Sequence, residues 1–265
     1  TGVEIHNGIA YALTDEHLEI VDVSDPANPA FISLIGVQAN DLDIQWPIVA
    51  VTRGLSGLSL INVADPAAPI LVDTIDFNPD PETMSGFTSV ILDDDTAYVI
   101  DRQYGLLVYD ISDQFNIQLL DRWNEFRIRH QELDGDTLFL IDRREVMSLD
   151  VSNPADLQLI QSFDSVIFSQ ATDSVIVGDL LYVQRFPQGA PGSIFDVSDP
   201  ANIQTVTAES GINDMFIAEA NGSLVTTSTG LKTYALSDPV SPTQIGNAFA
   251  LNPEHNADLH AAGDT

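Results

Sequence analysis

An all-β fold, a β-propeller of four-stranded antiparallel blades, is predicted by three observations on this 265-residue sequence. The stretch "LEIVDVSDPANP" at 18–29 returns five more times, from Leu58, Leu106, Val146, Gly192 and Leu231. Counting from Asp22 through Asn62, Asp110, Asp150, Asp196 and Ala235, the spacings are 40, 48, 40, 46 and 39 residues. A second marker, a tight turn between two apolar runs, keeps the same period at "HNGIAYAL", "DDDTAYVI", "DGDTLFLI", "VGDLLYVQ" and "ANGSLVTT", with "QWPIVAVT" in the second slot. Finally, no stretch sustains a helical period, while short Val/Ile/Leu/Tyr runs are bounded everywhere by Gly, Pro, Asn and Asp.

Each repeat reads as four strands, shown by the second one: "NDLDIQ", "PIVAVT", "LSLINVA" and "PILVDTIDF". Asn-Gly, Gly-Asp or Asp-Asp between the first two accepts unusual φ at little cost. A repeat of about 42 residues with four strands has the length of a propeller blade. A blade must bury both faces against neighbours, which explains a third strand apolar on both sides, as in Leu106 to Ile111. The expectation is a single domain over 1–265 with six blades; the tail at 251–265 matches the start of a seventh repeat, so seven blades is the alternative.

The recurring aspartates invite a metal reading, but an EF-hand-like loop needs more ligands and a glycine at its bend. The stronger reading of Ser-Asp-Pro is a turn: Asp caps backbone N–H groups and Pro presets φ. Asp22, on the side of Leu18 and Ile20, is expected to tie strand to turn.

With those residues in view, "GL-x-x-x-D-V-S-D-P-x-x-P" after a "G-D-x-x-Y-V" turn and strand resembles the LVIVD-repeat family of bacterial and archaeal cell-surface proteins. The resemblance runs from about Val3 to Ala250 and departs at Gln114, Asn153 and Ala235. It implies a propeller and an extracellular or cell-surface location, and brings no shared catalytic residues.

Forty acidic residues against nine basic give a formal charge of −31, with Lys232 the only lysine. Such a field repels nucleic acid. No apolar run is long enough to span a bilayer, so membrane insertion of this portion is not expected. Without cysteine, neither a disulfide nor a thiolate metal site can form. On a surface of roughly 11,000 Å² the acids lie about 17 Å apart. That exceeds a Debye length of about 8 Å at physiological salt but not one of about 30 Å at 10 mM, so the fold is expected to weaken in low salt.

No G-x-S-x-G elbow, P-loop or H-E-x-x-H occurs. The five histidines are scattered over different repeats, and Asn221 opens an N-x-S glycosylation pattern. The polar residues opening the innermost strands are Asp41, Ser89, His130, Asp173, Asp214 and Asp258. Carboxylates converging on a central channel could hold Ca²⁺, making a lactonase- or esterase-like hydrolase the catalytic alternative; a solvated polar channel is the plainer reading, with no cofactor.

The scarce arginines are more informative. Arg53, Arg102, Arg143, Arg144 and Arg185 fall in loops after second strands, and Arg127 and Arg129 after a fourth, which places all of them on one face. The longest insertions, "DFNPDPETMSGF" and "RFPQGAPG", map there too, and insertions on one face of a repeat array mark a binding face. The expected function is therefore a non-catalytic binding or structural module whose arginines grip a protein, an anionic glycan or a small molecule. Two alternatives stand beside it: Arg102 and Arg143 pair with Asp101, Asp142 or other carboxylates, or the arginine face of one copy meets the acidic face of the next and copies stack.

Overall fold

The structure, a computed structural model, describes residues 2–25, 27–75, 86–124, 128–142, 145–164, 171–185, 191–207, 210–214, 216–220, 222–227 and 231–248. Over these residues the chain forms six four-stranded antiparallel sheets and no helix. They are the blades of a six-bladed β-propeller, the fold class that the repeat predicts. The stretch 251–265 and Asn221 lie outside the described residues.

Residues 1–127 with 154–156 form one compact unit, and 128–153 with 157–265 a second. The first carries blade one, β1 (Val3–His6), β2 (Ile9–Leu13), β3 (His17–Asp22) and β4 (Ala30–Gly36). Blade two is β5 (Asp41–Gln45), β6 (Ile48–Thr52), β7 (Leu58–Asn62) and β8 (Ile70–Ile75); blade three is β9 (Phe87–Asp93), β10 (Thr96–Asp101), β11 (Gly105–Asp110) and β12 (Gln118–Trp123). The second unit carries blade four, β13 (His130–Asp134), β14 (Thr137–Ile141), β15 (Glu145–Asp150) and β16 (Gln158–Asp164). Blade five is β17 (Ala171–Val177), β18 (Leu180–Arg185), β19 (Ser193–Asp196) and β20 (Gln204–Thr207); blade six is β21 (Phe216–Ala220), β22 (Ser223–Thr227), β23 (Leu231–Ala235) and β24 (Thr243–Ala248).

Each unit buries its middle strands on both faces, and the period-2 alternation of a strand shows how. In blade two, Ile48, Ala50, Leu58 and Leu60 pack with Val90, Leu92, Val99 and Leu107 of blade three. The intervening Val49, Val51, Ile61 and Val63 pack with Tyr11, Leu18 and Ile20 of blade one. In the second unit Leu181 and Val183 meet Phe139 and Ile141 of blade four, while Tyr182 turns to Ile217 and Leu224 of blade six. The β1–β2 turn takes positive φ at Asn7 (50°) and Gly8 (74°), the pair that a two-residue hairpin turn favours. In all six blades the pairing of third and fourth strands shifts register at one place, between Ile20 and Val21 and at the equivalent positions, a repeated β-bulge that adds local twist.

The recurring motif is consumed in this construction. The residue after its first Asp donates its N–H to the carbonyl of the β1–β2-type turn: Val23 to Gly8, Val63 to Pro47, Ile111 to Asp95, Val151 to Asp136 and Val197 to Asp179, at 2.8–2.9 Å. Asp22 Oδ1 accepts the Ser24 N–H at 2.9 Å and hydroxyl at 2.6 Å, and Asp150 and Asp196 repeat this with Ser152 and Ser198. The second Asp caps the turn: Asp25 Oδ1 accepts from Ala27 N at 3.0 Å. The proline carbonyl then latches neighbouring blades, accepting Ser33 Oγ at Pro66 (2.5 Å), Ser148 Oγ at Pro200 (2.6 Å) and the Tyr182 hydroxyl at Pro239 (2.6 Å). The turn reading of Ser-Asp-Pro is what the structure shows.

Candidate functional site

The sequence places seven arginines on one face, and four of them are described. In the first unit, Arg53 follows β6 and Arg102 follows β10. Their loops touch through Gly86, whose carbonyl accepts the Arg102 N–H at 3.4 Å and whose position is so tight that a Cβ there would lie 2.9 Å from the Gly54 carbonyl carbon. A bridge between Gly54 and Phe87 fixes the same junction. Arg53 is half-buried; its Nη1 donates to Ser59 Oγ at 3.3 Å, and its buried Nε has no partner among the described residues. Arg102 is exposed and makes no ion pair among the described residues. Pairing with Asp101, the local alternative, is not realised: Asp101 is buried, and its Oδ1 instead accepts the N–H groups of Gln103 and Tyr104, both at 2.8 Å.

In the second unit, Arg129 is exposed just before β13, with its N–H on the Ile141 carbonyl. Arg185 differs from expectation. Rather than a loop residue it is the last residue of β18, only 8% exposed, with Nε donating to the Pro191 carbonyl at 2.6 Å. Strand pairing with Ala171 carries the ladder one residue further than the apolar run suggests and draws the guanidinium inward. Arg127, Arg143 and Arg144 lie outside the described residues.

The polar residues opening the first strands do structural chemistry. Asp41, 7% exposed, reaches from β5 to accept the Val90 N–H of β9 at 3.0 Å, and Asp43 accepts the Leu92 N–H at 2.6 Å. In the second unit Asp173 accepts the Ile217 N–H at 2.7 Å and lies 3.8 Å from His130 Nδ1, and Glu132 accepts the Ser174 hydroxyl at 2.7 Å. A first strand has no sheet partner on its outer edge, so its N–H groups need acceptors from elsewhere; the neighbouring blade's carboxylate supplies them. Ser89 lies within β9, and Asp258 is outside the described residues. Replacing Asp41 by Ala leaves the buried Val90 N–H without an acceptor and is expected to cost about 1–3 kcal/mol in denaturant unfolding. Asp41→Asn, which keeps an acceptor oxygen, is expected to recover most of that loss.

The sequence names both Asp214 and Lys232 but does not join them, and the structure pairs them. Asp214, fully buried, accepts Lys232 Nζ and Thr226 Oγ1 at 2.6 Å each and the Tyr234 hydroxyl at 3.3 Å. Burial, reinforced by the Asp214 charge, pushes the Tyr234 hydroxyl up to about 12. A lone lysine in so acidic a chain, set in the strand run Leu231–Ala235, was the signal. Among the described residues no three His, Asp or Glu side chains converge as metal ligands; Asp41, Asp173 and Asp214 each accept hydrogen bonds from protein donors.

Fold and repeat define the class first: a β-propeller built from one repeated blade motif. The family model described as "LVIVD repeat" then matches residues 2–37, 88–124 and 135–165. The resemblance read from the sequence is thus found in the segments of blades one, three and four. No curated protein matches the chain in sequence. Among solved structures, the periplasmic gluconolactonase of Pseudomonas aeruginosa is similar at TM-score 0.75 and 13% identity, over 94% of this chain and 85% of that one. A protein of Lactobacillus plantarum is similar at TM-score 0.75 and 15% identity, over 95% and 85%. A candidate 6-phosphogluconolactonase of Bacteroides fragilis is similar at TM-score 0.73 and 15% identity, over 93% and 82%. Likeness at this identity shows a shared fold.

Proposed function

We propose that the chain is a non-catalytic binding module, working in an extracellular or cell-surface setting, that holds an anionic group through Arg53 and Arg102. The observation that carries this reading is Arg102, an exposed guanidinium that forms no ion pair among the described residues of a chain with 40 acidic side chains. In a field this negative a cation is readily paired; one that meets no described carboxylate, in a loop touching that of a second whose Nε is buried without a described partner, suits a carboxylate, sulfate or phosphate from outside. The tight Gly54–Gly86 contact supports the two loops as a preformed pair, which lowers the ordering cost of binding. The location rests on the acidic composition and on the LVIVD match.

The test is binding to an array of sulfated and carboxylated glycans and acidic peptides at about 0.15 M salt. Arg102→Ala and Arg53→Ala are each expected to weaken the best binder by about 10- to 100-fold, the loss of one charge-assisted hydrogen bond. Arg102→Lys is expected to weaken it too, because an ammonium cannot make the planar fork. Binding unchanged in both alanine variants would remove the arginine pair from the reading, and turnover of gluconolactone by the chain would remove the non-catalytic part.

A further inference from the structure

At the opposite end of the same strands the first unit has a different cavity. Strand β6 separates Arg53 from this end by about 17 Å at strand rise. The cavity, about 350 Å³, lies where three turns meet: 45–48 of blade two, and 92–95 and 111–114 of blade three. Two of those turns depart from the repeat. "QWP" replaces the usual Asn-Gly or Asp-Gly hairpin, and Gln114 replaces the motif proline. Each departure puts a larger polar or aromatic side chain on the cavity wall.

The chemistry of the lining is one-sided. Gln45 directs its amide nitrogen to Asp94 Oδ1 at 3.5 Å, and its buried Oε1 has no partner among the described residues. Asp94 and Asp95, both exposed, add two carboxylates. Trp46, 53% exposed, is held by a parallel stack on His6, with centroids 6.5 Å apart and planes 10° from each other. Ile48, Leu92 and Ile111 give the wall an apolar part. Carboxylates beside a half-exposed indole on the cavity wall ask for a donor that is also positive. Anions are repelled. A sugar brings as many acceptors as donors, and the amide nitrogen that could serve them is turned to Asp94. A bare Ca²⁺ wants six to eight oxygens and no indole.

We propose that this cavity binds an organic cation, an ammonium or guanidinium head on a short apolar stem, with the head beside Trp46 and between Asp94 and Asp95. The volume suits a small ligand at the lower end of known sites. The cation can be a free amine or a basic side chain of a second copy of this chain, and the same pocket chemistry serves both. This site is independent of the arginine pair, so either can fail alone.

The probe is agmatine, followed by calorimetry or ligand-observed NMR at about 0.15 M NaCl, with the neutral isostere N-(4-aminobutyl)urea acetylated at its amine as control. Saturable binding of agmatine and none of the control is expected. Asp94→Asn is expected to weaken agmatine by about 10-fold or more, and it leaves the turn intact because Asn tolerates the positive φ of 47° at that position. Trp46→Ala is expected to weaken it similarly with the melting temperature preserved. Asp199→Asn, a charge-matched change in a turn of blade five, is expected to leave binding unaltered. Equal weakening by Asp199→Asn would mean that only the general negative field attracts the cation, and equal binding of the control would mean that charge is not read; either result overturns the proposal. Self-association that agmatine competes away would identify the basic side chain of a second copy as the source, and its absence a free amine.

Discussion

Asp214→Ala is expected to lower the unfolding free energy by about 3–5 kcal/mol, the cost of removing one partner from a buried ion pair. The carboxylate is fully buried, Lys232 on Oδ1 keeps only 25% of its side-chain exposure, and Thr226 and Tyr234 both donate to Oδ2. The alanine leaves an ammonium and two hydroxyls facing a hole. The double variant Asp214→Leu with Lys232→Met removes both charges and is expected to recover most of the loss, since apolar isosteres replace buried pairs at little cost. In Asp214→Ala the Tyr234 hydroxyl, held up to about 12, should fall as the adjacent charge disappears, readable by ultraviolet titration, while burial keeps it above the ordinary value. A loss below about 1 kcal/mol for the single variant would show that the pair is already solvated.

The second large effect is that of salt. With a formal charge of −31, raising NaCl from about 10 mM to 1 M shortens the screening length from about 30 Å to 3 Å, so repulsion among carboxylates collapses. The melting temperature should climb by about 2–4 °C for each kcal/mol of repulsion relieved; a curve flat in salt would refute this. Acid separates two terms. The carboxyls of Asp22, Asp110, Asp150 and Asp196 sit below their ordinary 3.8 because a serine hydroxyl and a backbone amide donate to them. A folded-state value below the unfolded one means that their contribution is complete above about pH 4 and is lost as pH falls through the lowered values. In 1 M NaCl stability should therefore hold level down to about pH 5 and decline in stronger acid. In low salt it should first rise as pH drops toward about 4, because neutralising carboxylates relieves the general repulsion before the turn caps are lost.

The blades were legible in the sequence because their signals are local. Leu106 to Ile111 shows a twice-covered strand without knowledge of its neighbours, and Asn7–Gly8 shows its turn. Asp25 reads as a turn cap for the same reason, since its partner is two residues away. The roles of Asp41 and Asp173 were not legible: their partners, Val90 and Ile217, lie 49 and 44 residues off, and a carboxylate that opens a strand looks the same whether it faces water, a metal or an amide. Arg185 misled because the apolar run ends before the strand does. Asp214 and Lys232 were each placed in the last repeat, one ahead of its first strand and one in its third, but they lie 18 residues apart and no local signal joins them. The site chemistry that could have been read lies in departures from the repeat, at Trp46 and Gln114, where a periodic sequence stops being periodic.

The proline latch bears on how such a chain can change. Pro66, Pro200 and Pro239 hold the neighbouring blade through a backbone carbonyl, a group that every amino acid possesses. The side chain at that position sets the turn's shape but makes no part of the bond. A duplicated blade therefore inherits its fastening with its backbone, and its turn residues are left open to drift. Gln114 is such a drifted position. A repeat protein with fasteners of this kind can acquire a new surface chemistry one turn at a time, while the copies on either side continue to specify the fold.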